Sequence, residues 1–163
     1  MAEIKIEKCR ETAVIPSYAH EGDAGMDIYA AADVIVEPGS SVLVPTGLKM
    51  AIPVGYEVQI RPRSGISLKT PLRVPNAPGT IDSGYRDEVN VIIYNASQRD
   101  DTNGGEPFSL NTKGCMHGTY KINTGDRIAQ MVFAKVETCT FSECDDVSAI
   151  GENRGGGFGS SGI

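Results

Sequence analysis

The sequence predicts an all-β sandwich or barrel of short, mostly antiparallel strands, with one short helix and a flexible C-terminal arm. Apolar and polar residues alternate with period two in several stretches, as half-buried strands require. Turn residues punctuate those stretches at short intervals. The 163 residues include 19 glycines and 9 prolines, and no segment sustains an amphipathic helical period over three turns.

The elements follow in chain order. "EIKIEK" (3–8) puts Ile4 and Ile6 on one face, opposite Glu3, Lys5 and Glu7. Turns are expected at "EPGS" (37–40) and "IPVG" (52–55). "GYEVQIR" (55–61) sets Tyr56, Val58 and Ile60 against Glu57, Gln59 and Arg61. "SGISLKT" (64–70) is the best short helix, with Ser64 as its N-cap. After a turn at "APGT" (77–80), "EVNVIIYN" (88–95) starts as an alternating strand and becomes apolar on both faces, as a more buried strand would. Residues 96–124 break the rhythm: they are polar, rich in Gly, Asn and Asp, and hold few strand formers before "GTYKIN". A structureless loop of that length is unusual in a compact domain, so a surface hairpin or excursion between two core strands is expected. A turn at "NTGD" (123–126) leads into "GDRIAQMVF" (125–133). The expected organisation is one domain over 1–152, with a surface insertion around 96–124, and a Gly-rich arm over 153–163.

Composition narrows the function classes. Hydrophobic residues make up 40% of the chain, enough for a core, and no apolar run reaches the ~18 residues of a membrane span. The N-terminal "MAEIKIEKCRE" has no apolar h-region. A net charge of −6 argues against a nucleic-acid binder, but not against a small phosphorylated substrate neutralised by a divalent ion and a few arginines. Cys9, Cys115, Cys139 and Cys144 are expected to be free thiols of a cytoplasmic protein. "CMH" (115–117) and "CTFSEC" (139–144) could be drawn into a zinc site, although their spacings fit no strong zinc pattern.

Five stretches carry the chemistry: "AGMDIYA" (24–30), "RPRSGIS" (61–67), "NAPGTIDSGYRDE" (76–88), "GDRIAQMVF" (125–133) and the tail "NRGGGFGSSGI" (153–163). Each alone has a plainer reading: a helix start beside a surface arginine, a turn and a strand, a turn aspartate at Asp82. In this order they resemble the five motifs of the homotrimeric dUTP diphosphatases, from about Ile4 to Gly162. The resemblance implies a distorted jelly-roll or β-barrel fold. It also implies hydrolysis of dUTP to dUMP and pyrophosphate with Mg²⁺, which supplies dUMP and keeps uracil out of DNA.

The roles are likewise those the resemblance implies. Asp82 matches the general base that activates water for in-line attack on the α-phosphorus. Asn76, Gly79, Thr80, Ile81 and Asn90 belong to a hairpin around 76–90 whose backbone pairs with the uracil edge. Such an edge rejects cytosine, which presents a donor at N4 where uracil has an acceptor. Tyr85 matches the tyrosine under deoxyribose, with strand packing as its plainer role. Arg63, Ser64, Gly65 and Gln130 match phosphate-binding positions, and Asp27 an aspartate that holds waters around Mg²⁺. In the tail, Phe158 would stack on uracil, while Arg154, Gly159, Ser160 and Ser161 would meet the β- and γ-phosphates. The tail would reach a neighbouring subunit's site, each site being built from three chains.

Some features depart from the pattern. "RGGGF" is one residue shorter than the usual fifth motif, Asp87 stands where glycine is usual, and residues 96–124 exceed the usual link, so that stretch could contact an unknown partner. Two alternatives are a dCTP deaminase-like enzyme, which carries tryptophan where Tyr85 stands, and a non-catalytic interaction protein that kept the fold. The chain has no tryptophan, and Asp82, Ser64 and Phe158 are all intact.

Overall fold

Twelve short strands, one short α-helix and a single 3-10 turn at Val147–Ala149 make up the regular structure of a computed structural model that describes residues 2–101, 104–153 and 155–156. The strands are β1 (Lys5–Lys8), β2 (Gly25–Tyr29), β3 (Val34–Val36), β4 (Ser41–Pro45), β5 (Leu48–Ala51) and β6 (Tyr56–Pro62). The helix α1 (Ser64–Lys69) follows, then β7 (Leu72–Arg73), β8 (Gly79–Ile81), β9 (Asn90–Asn95), β10 (Phe108–Ser109), β11 (Tyr120–Ile122) and β12 (Arg127–Lys135). They form four small sheets, in the orders β2-β12-β6-β8, β4-β9-β7, β10-β11-β3 and β1-β5. All pairings are antiparallel except β10 with β11. The all-β expectation therefore holds.

The alternation seen in the sequence decides which way each strand faces. Val58 and Ile60 of β6 are buried, while Glu57, Gln59 and Arg61 lie on the opposite face. Tyr56 keeps to the apolar side and stacks on Phe133 of β12 with centroids 4.6 Å apart. Ile4 and Ile6 pack against the core from the edge. Strand β9 is flanked by β4 and β7 and buries Val91 and Ile93. These side chains join Ile28, Val36, Val44, Leu72, Tyr120, Ile122 and Ile128 in one core. Among the described residues no helix is long and apolar enough to cross a membrane.

Two expectations change. Ser64 is not the N-cap of α1: the cap is Arg63, still extended at φ −83° and ψ 127°, and no side chain caps the helix. The chain stays extended one residue longer as it leaves β6, so Ser64 is already helical. The helix is closed instead by Thr70, whose N–H and hydroxyl both donate to the Ile66 carbonyl.

Residues 96–124 are also less of an excursion than expected. Phe108 and Leu110 pack on the core, Tyr120 is fully buried, and its ring meets that of Phe108 at 5.6 Å. The start of the stretch is fastened by Asn95, which is wholly buried. Its amide nitrogen donates to the carbonyls of Val36 (2.9 Å) and Gly118 (2.8 Å), and its side-chain oxygen accepts from the Ser97 N–H (3.0 Å). Three apolar side chains in a polar context, with one buried amide, convert a loop into a layer. Its exposed parts lie at 98–100, 104–107 and 113–117.

The end of the stretch is fastened by Asp33, whose carboxylate accepts from Lys121 Nζ (2.7 Å) and from the N–H and hydroxyl of Thr124 (2.9 and 3.0 Å). The hydrogen bond from Lys121, then those from Thr124, hold its pKa down at about 2. A depressed carboxylate stabilises the fold above its unfolded pKa and loses that contribution as pH falls through the folded value. Asp33→Asn is therefore expected to lower thermal stability slightly at neutral pH and to flatten the acid limb between about pH 4 and pH 2. Thermal melts across pH 2–7 check this; an unchanged acid limb would mean the contact carries no stability.

Candidate active site

The candidate residues gather in two places, set apart by strand β6. At one end are Asp27, Arg63, Ser64, Gly65 and Gln130. Register puts Gln130 of β12 opposite Asp27 of β2 on one side and Arg61 of β6 on the other. Asp27 is not a free carboxylate. Arg63 Nε donates to Oδ1 at 2.8 Å, with Arg63 Nη2 at 3.4 Å and Arg127 Nη1 at 3.3 Å from Oδ2. One acid thus gathers two arginines, and its side chain is only 22% exposed. A cleft beside this group is lined by Arg63, Gly65, Lys69, Asn111 and Arg127. Its cations suit a polyanion. Ser64 is exposed, and because it caps nothing its hydroxyl makes no hydrogen bond with the described residues.

On the other flank of β6, along β8 and the turn beyond it, are Asn76, Gly79, Thr80, Ile81, Asp82, Tyr85 and Asn90. Strand β8 pairs Gly79, Thr80 and Ile81 with Ile60, Gln59 and Val58. The peptide between Ala77 and Pro78 is cis. Gly79 sits in a close approach: a Cβ there would lie 3.1 Å from Asn76 Nδ2 and 3.4 Å from Ile60 Cβ, so a side chain would push the Asn76 amide aside. Beyond β8 the chain turns, with the Tyr85 N–H donating to the Asp82 carbonyl at 3.1 Å. A turn aspartate ordinarily spends its carboxylate on nearby backbone N–H groups. Here only the backbone of Asp82 closes the turn, and its exposed carboxylate bonds to none of the described residues. Tyr85 Oη and Asn90 Nδ2 both donate to the Glu88 carbonyl at 3.0 Å. Asp87 faces solvent.

Asp82 and Ser64 lie beyond opposite ends of β6, whereas Gly79 pairs with Ile60, one residue from the Arg61 that faces Gln130. Asp82 leaves the sheet beside Glu57, with which it lines one cleft. Ser64 lies seven residues further along, about 20 Å at ~3.3 Å per extended residue. Arg154, Phe158, Gly159, Ser160 and Ser161 lie outside the described residues.

A family model described as dUTPase matches residues 11–103 and 111–162. The chain belongs to the dUTPase family. Among curated relatives, the deoxyuridine 5'-triphosphate nucleotidohydrolase of Solibacter usitatus is 44% identical over 163 residues, covering 98% of this chain and 96% of its own. That of Helicobacter pylori is 38% identical over 160 residues, covering 98% and 97%. Among solved structures, the Staphylococcus bacteriophage 80alpha dUTPase with dUPNHPP superposes with a TM-score of 0.87 at 29% identity, covering 99% of both chains. A dUTPase of Staphylococcus aureus phage phi11, described with a coordinated structural Mg(II) ion, gives 0.77 at 29% identity, covering 89% and 98%. The family model leaves residues 1–10, 104–110 and 163 unmatched, so the one internal break in the match falls within 96–124.

Sequence reasoning missed Arg127, although it stands in the quoted "GDRIAQMVF" three residues before Gln130. It also missed Lys69 and Glu88, whose contributions come from packing. Among the described residues no group of three His, Cys, Asp or Glu could hold a metal ion. The donor set fits an ion carried mainly by phosphate oxygens and water, with Asp27 oxygens keeping lone pairs beyond their arginine bonds.

Asp27→Ala would free both arginines and is expected to lower kcat/KM by roughly 10- to 100-fold on dUTP with the fold intact. Raising Mg²⁺ in the assay should leave most of the deficit, because arginine placement is the larger part of what Asp27 contributes. Full recovery at high Mg²⁺ would make the ion's waters its whole role.

Proposed function

We propose that this protein hydrolyses dUTP to dUMP and pyrophosphate at sites assembled between copies of the chain, supplying dUMP and keeping uracil out of DNA. The family and its full-length relatives support the reaction. Strand register supports the shared site: Asp82 follows Ile81, which pairs with Val58, whereas Ser64 begins α1 beyond the other end of β6, a separation of roughly 20 Å at ~3.3 Å per extended residue. A site that uses both would draw them from two chains, and a tail from a third completes the homotrimer that the family resemblance implies.

Asp82 accepts a proton from a water as that water attacks the α-phosphorus, and pyrophosphate leaves in line on the opposite side. Its exposed, uncommitted carboxylate suits that task. Arg63, Gly65 and Gln130 hold the phosphates, and Ser64, free of any capping bond, can donate to the bridging oxygen. Asp27, besides aiming Arg63 and Arg127, would help hold a Mg²⁺ carried by the substrate, an ion that would supply charge neutralisation. The hairpin formed by Asn76 and Gly79–Ile81 reads the uracil edge, Tyr85 lies under deoxyribose where a 2′-hydroxyl would clash, and Asn90 braces the turn. The arm, 153–163, brings Phe158 over the base, and Arg154, Gly159 and Ser160 toward the outer phosphates. The four cysteines are free and exposed, in keeping with a cytoplasmic enzyme.

Incubation with dUTP, dCTP, dTTP and UTP should release pyrophosphate from dUTP and ammonia from none. Asp82→Asn is expected to cut kcat by ~10²–10⁴-fold with substrate affinity largely kept. Ser64→Ala is expected to weaken it too. Co-expressing the two variants should rebuild about a quarter of the sites with both native residues, if each site takes them from different chains. Mixed oligomers no more active than the parents would rule out the shared site.

Phe158→Ala should lower kcat/KM by roughly 5- to 150-fold, because base–aromatic stacking is worth ~1–3 kcal/mol. Phe158→Trp should keep most activity. Equal activity in all three proteins would exclude Phe158 from the site.

A further inference from the structure

The hairpin that carries Asp82 and Tyr85 is fixed to the body at a point outside the site. Residues 84–87 are exposed, and the side-chain bonds of Tyr85 and Arg86 stay within the hairpin. The exception is Glu88. Its carboxylate receives Arg10 Nε at 2.7 Å and Arg10 Nη2 at 2.9 Å, a two-pronged pair, and the Gly47 N–H at 2.8 Å. Its carbonyl is the acceptor shared by Tyr85 Oη and Asn90 Nδ2. One residue therefore faces the N-terminal segment with its side chain and the sugar-facing tyrosine with its backbone.

The seat of this contact is built for closeness. Gly47 has φ +69°, and a Cβ there would lie 2.6 Å from Ala13 Cβ and 3.0 Å from Arg10 Cβ. Only glycine admits the 10–13 segment so near. The Cys9 N–H donates to the Gly47 carbonyl at 2.8 Å, and the Val89 N–H to the Leu48 carbonyl at 2.8 Å. The pairing with Arg10, opposed by burial and aided by Gly47, holds the Glu88 carboxyl below its usual range, so it is ionised at neutral pH. A two-pronged arginine–carboxylate pair adds geometric definition that a lone lysine contact lacks.

We infer that Glu88, clamped by Arg10 and Gly47, is a positioning residue that sets the height of Tyr85 and so tunes discrimination between deoxyribose and ribose nucleotides. This rests on the reading of Tyr85 given under the proposed function. Arg10 touches no substrate-binding residue named above, yet it governs sugar selectivity through Glu88. A displacement of about 1 Å at a reacting or recognising group can cost ~100-fold, so loss of one clamp should be visible in kinetics.

The test uses the full-length protein and compares kcat/KM for dUTP and UTP in the wild type, Arg10→Ala, Arg10→Lys, Glu88→Gln, the Arg10→Ala/Glu88→Gln double variant and Tyr85→Ala. Arg10→Ala and Glu88→Gln should each lower the dUTP-to-UTP preference about tenfold, mainly through KM for dUTP. The double variant should be no worse than either single one, and Arg10→Lys should fall between wild type and Arg10→Ala. Glu88→Gln keeps the size of the side chain, so it tests the idea even if Arg10→Ala fails to fold. If Tyr85→Ala changes the preference while Arg10→Ala and Glu88→Gln leave it within twofold, the clamp is refuted and the Tyr85 reading stands. If none of the variants changes it, both are refuted.

Discussion

The register of β6 is the constraint on which the rest of the site depends. This strand is hydrogen-bonded on one side to β12 and on the other to β8. An extended chain advances ~3.3 Å per residue, so the groups hung on its two ends cannot meet. β12 brings Gln130 level with Arg61, near the start of α1. β8 brings Asp82 out level with Glu57. The strand thus holds Ser64 and Asp82 apart within one chain, and the proposed reaction calls on copies of the chain to bring them together.

Two polar residues complete what the apolar core cannot define. Apolar packing sets which faces turn inward, but it is non-directional and tolerates small shifts. Asn95 and Glu88 are directional. Asn95 ties β9 to the carbonyls of Val36 and Gly118, fixing the layer that contains Tyr120. Glu88 ties the hairpin to residues 10 and 47, which are far away in sequence. Among the described residues no buried side-chain nitrogen or oxygen lacks a hydrogen-bond partner. Satisfied networks of this kind specify one arrangement, whereas an unpaired member would cost ~1–3 kcal/mol.

The electrostatics are local. The chain's charge of −6 says little about a cleft lined by Arg63, Lys69 and Arg127, of which Arg63 and Arg127 are held by Asp27. That acid offsets part of the repulsion between Arg63 and Arg127 and aims the Arg63 guanidinium. Under the proposed function, a triphosphate entering the cleft meets charges already in place. Preorganised charge of this kind costs little reorganisation when the substrate binds.

Period-two alternation is a local property, so the sequence by itself determined strands such as β1 and β6, their inward faces and the all-β class. Val58 and Ile60 are buried on the face opposite the polar Glu57, Gln59 and Arg61. The ordered motifs likewise named the family, and with it Asp82, Ser64 and Gln130. What lay beyond the sequence was decided by contacts between residues far apart in the chain. Ser64 lost its capping role because β6 stays extended through Arg63. Residues 96–124 became a layer because Phe108 and Tyr120 found each other and the core. Asp27 became the partner of two arginines, 36 and 100 residues away. Glu88 met Arg10 across 78 residues. No spacing rule encodes such pairs, because their geometry exists only after strands of different sheets have packed.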